Sequence, residues 1–171
     1  MIKAILPIAA AVCLLASCAS NTETTHDHAH DGANTEHTAG AEPANTVNNT
    51  ITLTAGDDMK FSGSTFTVEA GKPVKLTLTH SGKMAKEVMG HNFVLLKPGS
   101  VVSDFANEAV NAKDTDYIPA TSADKVVAKT KLLGAGETDT IEFTLTEKGE
   151  YPFLCSFPGH GGMMKGMVIV Q

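Results

Sequence analysis

Apolar and polar residues alternate in short runs along the chain from about residue 50 onward. Val74, Leu76 and Leu78 are separated by polar residues, and Ile141 and Phe143 alternate with acidic and hydroxyl side chains. A period of two indicates a strand that buries one of its faces. From this alternation, and from other short β-rich runs that turn residues separate, we predict strands at 50–54, 65–69, 73–79, 91–96, 125–128, 138–144, 150–155 and 165–170.

One segment shows helical periodicity instead. Between residues 100 and 113, Val102, Phe105 and Ala109 fall roughly on one face of a helix. Glycines mark turns between the predicted strands, and many short strands with such spacing are typical of a β-sandwich or barrel. We therefore predict an all-β fold with one short helical insertion around 100–113.

The first 17 residues have the pattern of an export signal. A basic start at Lys3 precedes an apolar run over 4–16, which has the length of a signal-peptide core but is too short to span a bilayer comfortably. The run ends in Leu-Ala-Ser followed by Cys18, which resembles a bacterial lipoprotein box. By that resemblance, residues 1–17 are removed and Cys18 is lipidated. Ordinary secretion with an incidental Cys18 is the alternative.

Residues 18–48 are predicted to form a flexible tether. Asn, Thr, Ala, Glu, Asp, Gly and His dominate the segment, and large apolar residues are almost absent. Such a composition cannot bury enough apolar surface to offset the entropy lost on ordering. A coil of this length has a root-mean-square reach of roughly 30 Å. The tether also contains His26, His28, His30 and His37, which could bind Cu(II) or Zn(II) weakly. A plain polar spacer is the alternative interpretation.

Cysteine content and charge narrow the functions open to the folded domain, residues 49–171. Of three cysteines, Cys13 belongs to the signal and Cys18 to the anchor, so Cys155 has no disulfide partner. Metal ligation is the first explanation for such a thiol. The chain has no arginine and a net charge of −6, so we expect no nucleic acid partner, which would need a basic surface.

The segment between the last two predicted strands carries the candidate chemistry. Cys155, His160 and a methionine pair at 163–164 lie there within ten residues. A thiolate, two imidazoles and a weak thioether form the ligand set of a blue-copper electron-transfer site, so a second histidine is needed. Outside the tether, the two other histidines of the chain are His80 and His91.

Two motifs in the domain resemble azurin, a family of blue-copper proteins. They are Val88-Met-Gly-His91-Asn-Phe-Val-Leu and Cys155-Ser-Phe-Pro-Gly-His160-Gly-Gly-Met-Met-Lys-Gly. Shorter matches at 59–61, 78–80 and 130–137 extend the resemblance over nearly all of the chain from about residue 50 onward. The resemblance implies a Greek-key, cupredoxin-like sandwich that holds one copper ion. Its equatorial ligands would be His91, Cys155 and His160, with Met164 as the weak axial ligand and the Gly90 carbonyl as a distant one.

The resemblance also implies roles beside the ligands. Met163 is a rival for the axial position, and the Lys-Gly pair that follows Met164 favours Met164. Asn92 would brace the two ligand segments against each other. The backbone N–H groups of Asn92 and Phe157 would point at the sulfur of Cys155, where they would tune the thiolate.

An apolar patch for a redox partner is implied around the edge of His160. Its residues would be Met59, Met84, Met89 and Phe157, and such methionine-rich surfaces suit weak contacts with several partners. Ordinary core packing of these side chains is the alternative.

Other positions match the azurin pattern less directly. His80 corresponds to a non-ligand histidine, with a structural role or a pH-linked tuning role as the two interpretations. The disulfide and the buried tryptophan usual in azurins are absent. Gly161 and Gly162 make the ligand loop less bulky, which could loosen the axial ligand or expose the copper slightly more.

The predicted function is that of a lipid-anchored electron carrier. An enzyme is not expected, because the domain has no second histidine cluster for a catalytic copper. The family implies redox partners such as c-type cytochromes or copper oxidases and reductases. A copper carrier or chaperone, suggested by the tether histidines and the methionines, is the alternative. We expect an exported protein at the periplasmic face or the cell surface. The outer membrane is favoured because Ala19 replaces the Asp associated with retention in the inner membrane.

Overall fold

The computed structural model describes residues 46–171 of the chain. The predicted signal peptide, the predicted lipidation site at Cys18 and the predicted tether up to residue 45, with its histidines, lie outside the described residues. The backbone of Val47 pairs with Thr67, and the N–H of Asn48 donates to the Thr67 carbonyl, so contacts with the domain begin just before residue 49. Within the described part, no helix is long and apolar enough to cross a membrane.

The described residues form eight strands in two sheets, as the sequence predicts. The strands are β1 Thr50–Ala55, β2 Thr65–Val68, β3 Pro73–His80, β4 Val94–Leu96, β5 Val126–Lys129, β6 Thr138–Thr144, β7 Gly149–Leu154 and β8 Lys165–Val170. One sheet has the order β1-β3-β6 and the other has the order β2-β8-β7-β4-β5. The pairs β1–β3 and β2–β8 are parallel, and the others are antiparallel.

Helical segments are short and lie on the connections. α2, Val102–Ala109, falls inside the predicted insertion, and a 3-10 turn follows at Lys113–Thr115. Two segments are additional to that prediction: α1 at Lys86–Met89 and a 3-10 turn at Ala120–Lys125. Segments of about one turn are too short to show a helical period in the sequence.

The apolar faces of the two sheets meet in one main core. In β3, Val74, Leu76 and Leu78 are fully buried, and the residues between them lie at or near the surface. Side chains of β1, β7 and β8 join the same cluster from both sheets. The prediction of an all-β sandwich is therefore confirmed.

A second, smaller core covers the outer face of the five-stranded sheet. Val94 and Leu96 of β4 pack in a cluster with Phe105 of α2, whereas Leu95 between them belongs to the main core. β4 is thus buried on both faces, which accounts for its unbroken apolar sequence. Leu154, the residue before Cys155, also lies in the second core. The base of the ligand loop is therefore held between both cores.

The main core is organised around the ring of Phe153 in β7. Its centroid lies 4.9 Å from that of Phe93, 5.7 Å from that of Phe61 and 5.9 Å from that of Phe66. The side chain is fully buried. Phe153 therefore packs against three other aromatic rings of the main core.

Replacing Phe153 by alanine removes the shared ring and leaves a cavity. We expect Phe153→Ala to lower the free energy of unfolding by about 3–5 kcal/mol. Phe143→Ala serves as the control, since Phe143 of β6 is only half-buried, and its loss is expected to be clearly smaller. Urea unfolding of the metal-free protein, followed by circular dichroism, measures both. Equal losses would contradict the central position of Phe153.

Candidate metal centre

Three of the predicted ligands meet in one buried cluster. His91 lies just before β4, Cys155 follows β7, and His160 lies in the loop between β7 and β8. Their ligand atoms are all within 4.8 Å of one another. The Cys155 Sγ lies 3.9 Å from Nδ1 of His91 and 3.6 Å from Nδ1 of His160. All three side chains are at most 2 % exposed.

These separations fit a single metal ion. A metal–sulfur bond of about 2.3 Å and metal–nitrogen bonds of about 2.0 Å, as in zinc sites, place sulfur and nitrogen about 3.7 Å apart in a trigonal plane. The two sulfur–nitrogen distances in the cluster lie on either side of this value. A soft thiolate with two imidazoles is a donor set that suits copper. The residues present therefore fit a bound copper ion.

The tautomer of His91 is set by a backbone group on another segment. Its Nε2 lies 2.9 Å from the carbonyl oxygen of Gly56. A carbonyl can only accept a hydrogen bond, so Nε2 carries the proton and Nδ1 keeps its lone pair toward Cys155. The backbone of His91 is also paired with Leu133 in both directions, at 2.7 and 3.0 Å. No feature of the sequence pointed to Gly56, because the group involved is a main-chain carbonyl.

The ligand loop is closed by its own backbone. The N–H of Cys155 donates to the Met164 carbonyl at 2.9 Å, and the N–H of Met164 donates to the His160 carbonyl at 2.8 Å. Gly159 has φ +82°, a conformation that favours glycine at the tip of the loop. The first and last residues of the loop are thus hydrogen-bonded neighbours.

The two methionines of the loop have opposite environments. The side chain of Met164 is fully buried, whereas that of Met163 is 58 % exposed. Of the two, Met164 is therefore the one enclosed with the cluster. The Gly90 carbonyl oxygen lies 3.9 Å from the Cys155 Sγ. A Cβ at Gly90 would lie 2.7 Å from the Lys86 carbonyl oxygen, so this position has no room for a side chain.

Burial controls the protonation of the cluster. It raises the pKa of the Cys155 thiol to about 11, against the effect of backbone N–H groups of Asn92 and Phe157 that donate to the sulfur. Burial, together with the charges of His91 and His80, lowers the pKa of His160 to about 4. Burial also lowers the pKa of His91. At neutral pH the imidazoles keep free lone pairs, and a metal ion must displace the thiol proton.

The predicted brace at Asn92 is present in the structure. Its Oδ1 accepts from the backbone N–H of Ser156 at 2.8 Å, and its Nδ2 donates to the Ser156 hydroxyl at 2.8 Å. Nδ2 also lies 3.2 Å from the carbonyl oxygen of Asp116. Asn92 therefore ties the His91 segment to the Cys155 segment, as expected, and to a third segment that the sequence did not indicate.

His80 lies behind His91 with both of its ring nitrogens in hydrogen bonds. Its Nε2 is 2.7 Å from the Met89 carbonyl oxygen, and its Nδ1 accepts from the N–H of Gly82 at 3.1 Å. The ring stacks on that of His91 with centroids 4.6 Å apart. This is the geometry of a structural histidine that supports a neighbouring ring.

The implied partner patch is only partly apolar surface. Met84 is 39 % exposed, Met59 and Met89 are half-buried, and Phe157 is buried with its ring centroid 4.7 Å from that of His160. Among the described methionines the most exposed is Met163, which the sequence indicated only as a rival axial ligand. Two adjacent methionines give no sequence signal for which of them faces outward.

Comparisons with known proteins agree with this geometry. The model of copper-binding proteins of the plastocyanin/azurin family matches residues 45–171. The chain is 37 % identical over 125 residues to azurin from Pseudomonas chlororaphis, and the match covers 71 % of this chain and 97 % of that relative. It is 41 % identical over 120 residues to outer membrane protein H.8 from Neisseria meningitidis, and the match covers 68 % of this chain and 64 % of that relative.

Solved structures show the same fold. The structure is similar to reduced auracyanin from Roseiflexus castenholzii, with a TM-score of 0.64 and 35 % identity over 74 % of this chain and 99 % of that one. It is similar to an azurin from Methylomonas sp. strain J, with a TM-score of 0.64 and 32 % identity over 71 % of this chain and 97 % of that one. The sandwich, the cluster of thiol and imidazoles, and these matches lead to one conclusion: the chain belongs to the plastocyanin/azurin family of copper-binding proteins, and its cofactor is copper.

Proposed function

We propose that this protein is an electron carrier that alternates between Cu(I) and Cu(II). The observation that supports this most directly is the buried cluster of one thiol and two imidazoles, spaced for a single ion. In the proposal, His91, Cys155 and His160 would be the equatorial ligands of the copper, Met164 would be its weak axial ligand, and the Gly90 carbonyl would be a distant one. Copper bound in this way supplies a one-electron couple whose two states share one ligand set.

The residues around the cluster would keep its geometry fixed during electron transfer. The hydrogen bond of His91 to Gly56 holds one imidazole, and the bonds of Asn92 hold the segment after Cys155. The burial of the ligand side chains excludes water from the thiolate. Since the ligands are held in place before the metal binds, little rearrangement is needed when the charge changes.

Contact with redox partners would occur at the surface beside His160. This imidazole is 2 % exposed, and the exposed thioethers of Met84 and Met163 offer an adaptable surface on the loops that carry or flank the ligands. In this proposal the partners are exported redox proteins, such as c-type cytochromes or copper oxidases and reductases. Enzymatic activity of the chain itself is not proposed.

The lipid anchor and the membrane are the second part of the proposal. The apolar run at 4–16 that ends before Cys18 supports export and lipidation, and the tether after it would let the domain reach neighbouring proteins. One relative, protein H.8, is named as an outer membrane protein, which supports the outer membrane as the location. The domain would then work at the surface of that membrane.

The two adjacent methionines provide a matched test of the copper site. Purified full-length protein with one equivalent of copper is expected to show an intense thiolate-to-copper band in the visible spectrum. Cys155→Ser should abolish the band. Met164→Leu should raise the reduction potential, because the thioether no longer donates to the metal. Met163→Leu should leave both properties unchanged, since that side chain is exposed.

Other outcomes would contradict this assignment. No band in the wild type would rule out the proposed site, and an effect of Met163→Leu larger than that of Met164→Leu would reverse the axial assignment. The copper carrier would be favoured over the electron carrier if the protein lost copper rapidly to a chelator and if this transfer depended on the tether histidines His26, His28, His30 and His37.

Copper affinity should depend on pH through Cys155. The pKa of its thiol is about 11, so one proton must leave on binding throughout the neutral range, while His160, with a pKa of about 4, is already neutral. The apparent affinity is therefore expected to rise about tenfold per pH unit between about pH 7 and about pH 9. Competition with a chelator of known pH dependence measures the slope. A slope near zero would mean that the metal-free protein already holds a thiolate.

Membrane attachment can be tested with two cysteines of the N-terminal region. Cys18→Ser is expected to release the protein from the membrane fraction, because the acylated residue is lost. Cys13→Ser, within the apolar run at 4–16 that precedes Cys18, is the matched control and should stay membrane-bound. Fractionation of cells on a density gradient measures both and separates inner from outer membranes. Attachment of Cys18→Ser equal to that of the wild type would contradict the lipid anchor.

A further inference from the structure

A turn after α2 contains two consecutive residues in the left-handed backbone conformation. Asp116 has φ 54° and Tyr117 has φ 61°. Aspartate tolerates this region, but a bulky aromatic residue rarely adopts it. The N–H of Tyr117 donates to the Ala112 carbonyl at 2.9 Å, and the Thr115 hydroxyl donates to the Ile118 carbonyl at 2.7 Å. Strained residues of this kind persist where the surrounding structure holds them, and they concentrate at functional sites.

The strained turn places the side chain of Tyr117 against the ligand loop. Tyr117 is 7 % exposed, and its ring centroid lies 5.1 Å from that of Phe157 at an interplanar angle of 69°. This edge-to-face arrangement is a favourable one for aromatic pairs. The ring of Phe157 in turn lies 4.7 Å from that of His160. Three rings therefore form a row that ends on a candidate ligand.

The same turn also reaches the ligand loop through its backbone. The carbonyl of Asp116 accepts a hydrogen bond from Asn92, whose side chain holds Ser156 by two further bonds. The two residues that follow Cys155 are thus held from one turn, Ser156 through Asn92 and Phe157 through the Tyr117 ring. Two independent contacts at consecutive positions distinguish this arrangement from general core packing.

We infer that Tyr117 is a positioning residue of the copper centre, which acts by holding Phe157 against both the sulfur of Cys155 and the ring of His160. The inference rests on the proposed function. The backbone N–H of Phe157 donates to the Cys155 sulfur. Hydrogen bonds and apolar surroundings at this sulfur tune the potential of blue-copper sites. If the ring of Tyr117 is lost, Phe157 can move, the N–H bond weakens and water gains access.

Both consequences act in the same direction on the reduction potential. A thiolate that receives fewer hydrogen bonds donates more charge to the metal, and water access also favours the more highly charged Cu(II) state. We therefore expect Tyr117→Leu to lower the potential and to speed copper loss about tenfold, the lower end of what the loss of a supporting contact costs a metal site. A tenfold change in the relative affinity for the two oxidation states corresponds to about 59 mV for a one-electron couple.

The test uses four variants of the full chain. Tyr117→Phe keeps the ring and should retain the visible band, the potential and the rate of copper loss. Tyr117→Leu removes the ring. Tyr117→Asn also removes it but accepts the left-handed backbone, so it guards against a simple failure to fold. Tyr151→Leu is the matched control. Tyr151 lies four residues before Cys155 along the chain, is 6 % exposed, and donates a hydrogen bond to the Glu147 carbonyl.

A readout without metal completes the test. In the metal-free protein, amide hydrogen exchange at Ser156 and Phe157, measured by NMR, should be faster in both ring-deleted variants than in the wild type and in Tyr151→Leu. The inference would be overturned if Tyr117→Leu and Tyr117→Asn both had the same visible spectrum, reduction potential and amide hydrogen exchange as the wild type. An equal change in Tyr151→Leu would also overturn it. A wild type without a thiolate-to-copper band would instead defeat the proposed function, while the exchange measurement would still decide whether Tyr117 positions the loop.

Discussion

The structure depends on the burial of an ionisable thiol between two imidazoles. Burial raises the pKa of Cys155 and lowers those of His91 and His160, so the cluster is most easily accommodated as neutral groups. Polar groups in such a place cost free energy unless they are hydrogen-bonded. Gly56 satisfies His91, and the backbone N–H groups of Asn92 and Phe157 satisfy the sulfur. These hydrogen bonds stabilise the metal-free site, and the lone pairs of the ligand atoms of His91, Cys155 and His160 remain directed at one another.

The strands of the five-stranded sheet hold this cluster in place. β7 ends at the residue before Cys155 and pairs with β4 and β8, so the thiol leaves a strand that has neighbours on both sides. The main core lies under one face of β7, and α2 covers the other through Leu154. Without a disulfide in the described domain, the rigidity of the site comes from packing and from backbone hydrogen bonds.

Short β-rich runs bounded by turn residues were enough to predict all eight strands, although only some of them alternate apolar and polar residues as β3 does. β4 is apolar throughout because both of its faces are buried. The first half of the segment predicted as a strand at 91–96 does not join a ladder, since His91 pairs instead with Leu133 in an isolated bridge. The candidate ligands could be predicted from their donor types and from the resemblance to azurin. Gly56 and Tyr117 could not, because a main-chain carbonyl and a strained turn depend on where distant segments meet. In the sequence, only that resemblance separated Met164 from Met163 as a candidate ligand, whereas in the structure the two side chains differ in exposure.

The glycine pair in the ligand loop shows how the surrounding fold changes the meaning of a local sequence feature. Two glycines suggested a loose loop with a more exposed metal. In the structure Gly161 is buried, and a Cβ there would lie 2.9 Å from the Cβ of Ala106 on α2 and 3.3 Å from Leu154. The bulk missing from the loop is therefore supplied by the helix, which approaches closely because the side chain is absent. A Cβ at Gly162 would meet no atom within 4 Å. Open space at the loop is thus confined to its outer edge, beside the exposed Met163, while Gly161 is packed against α2 and Leu154.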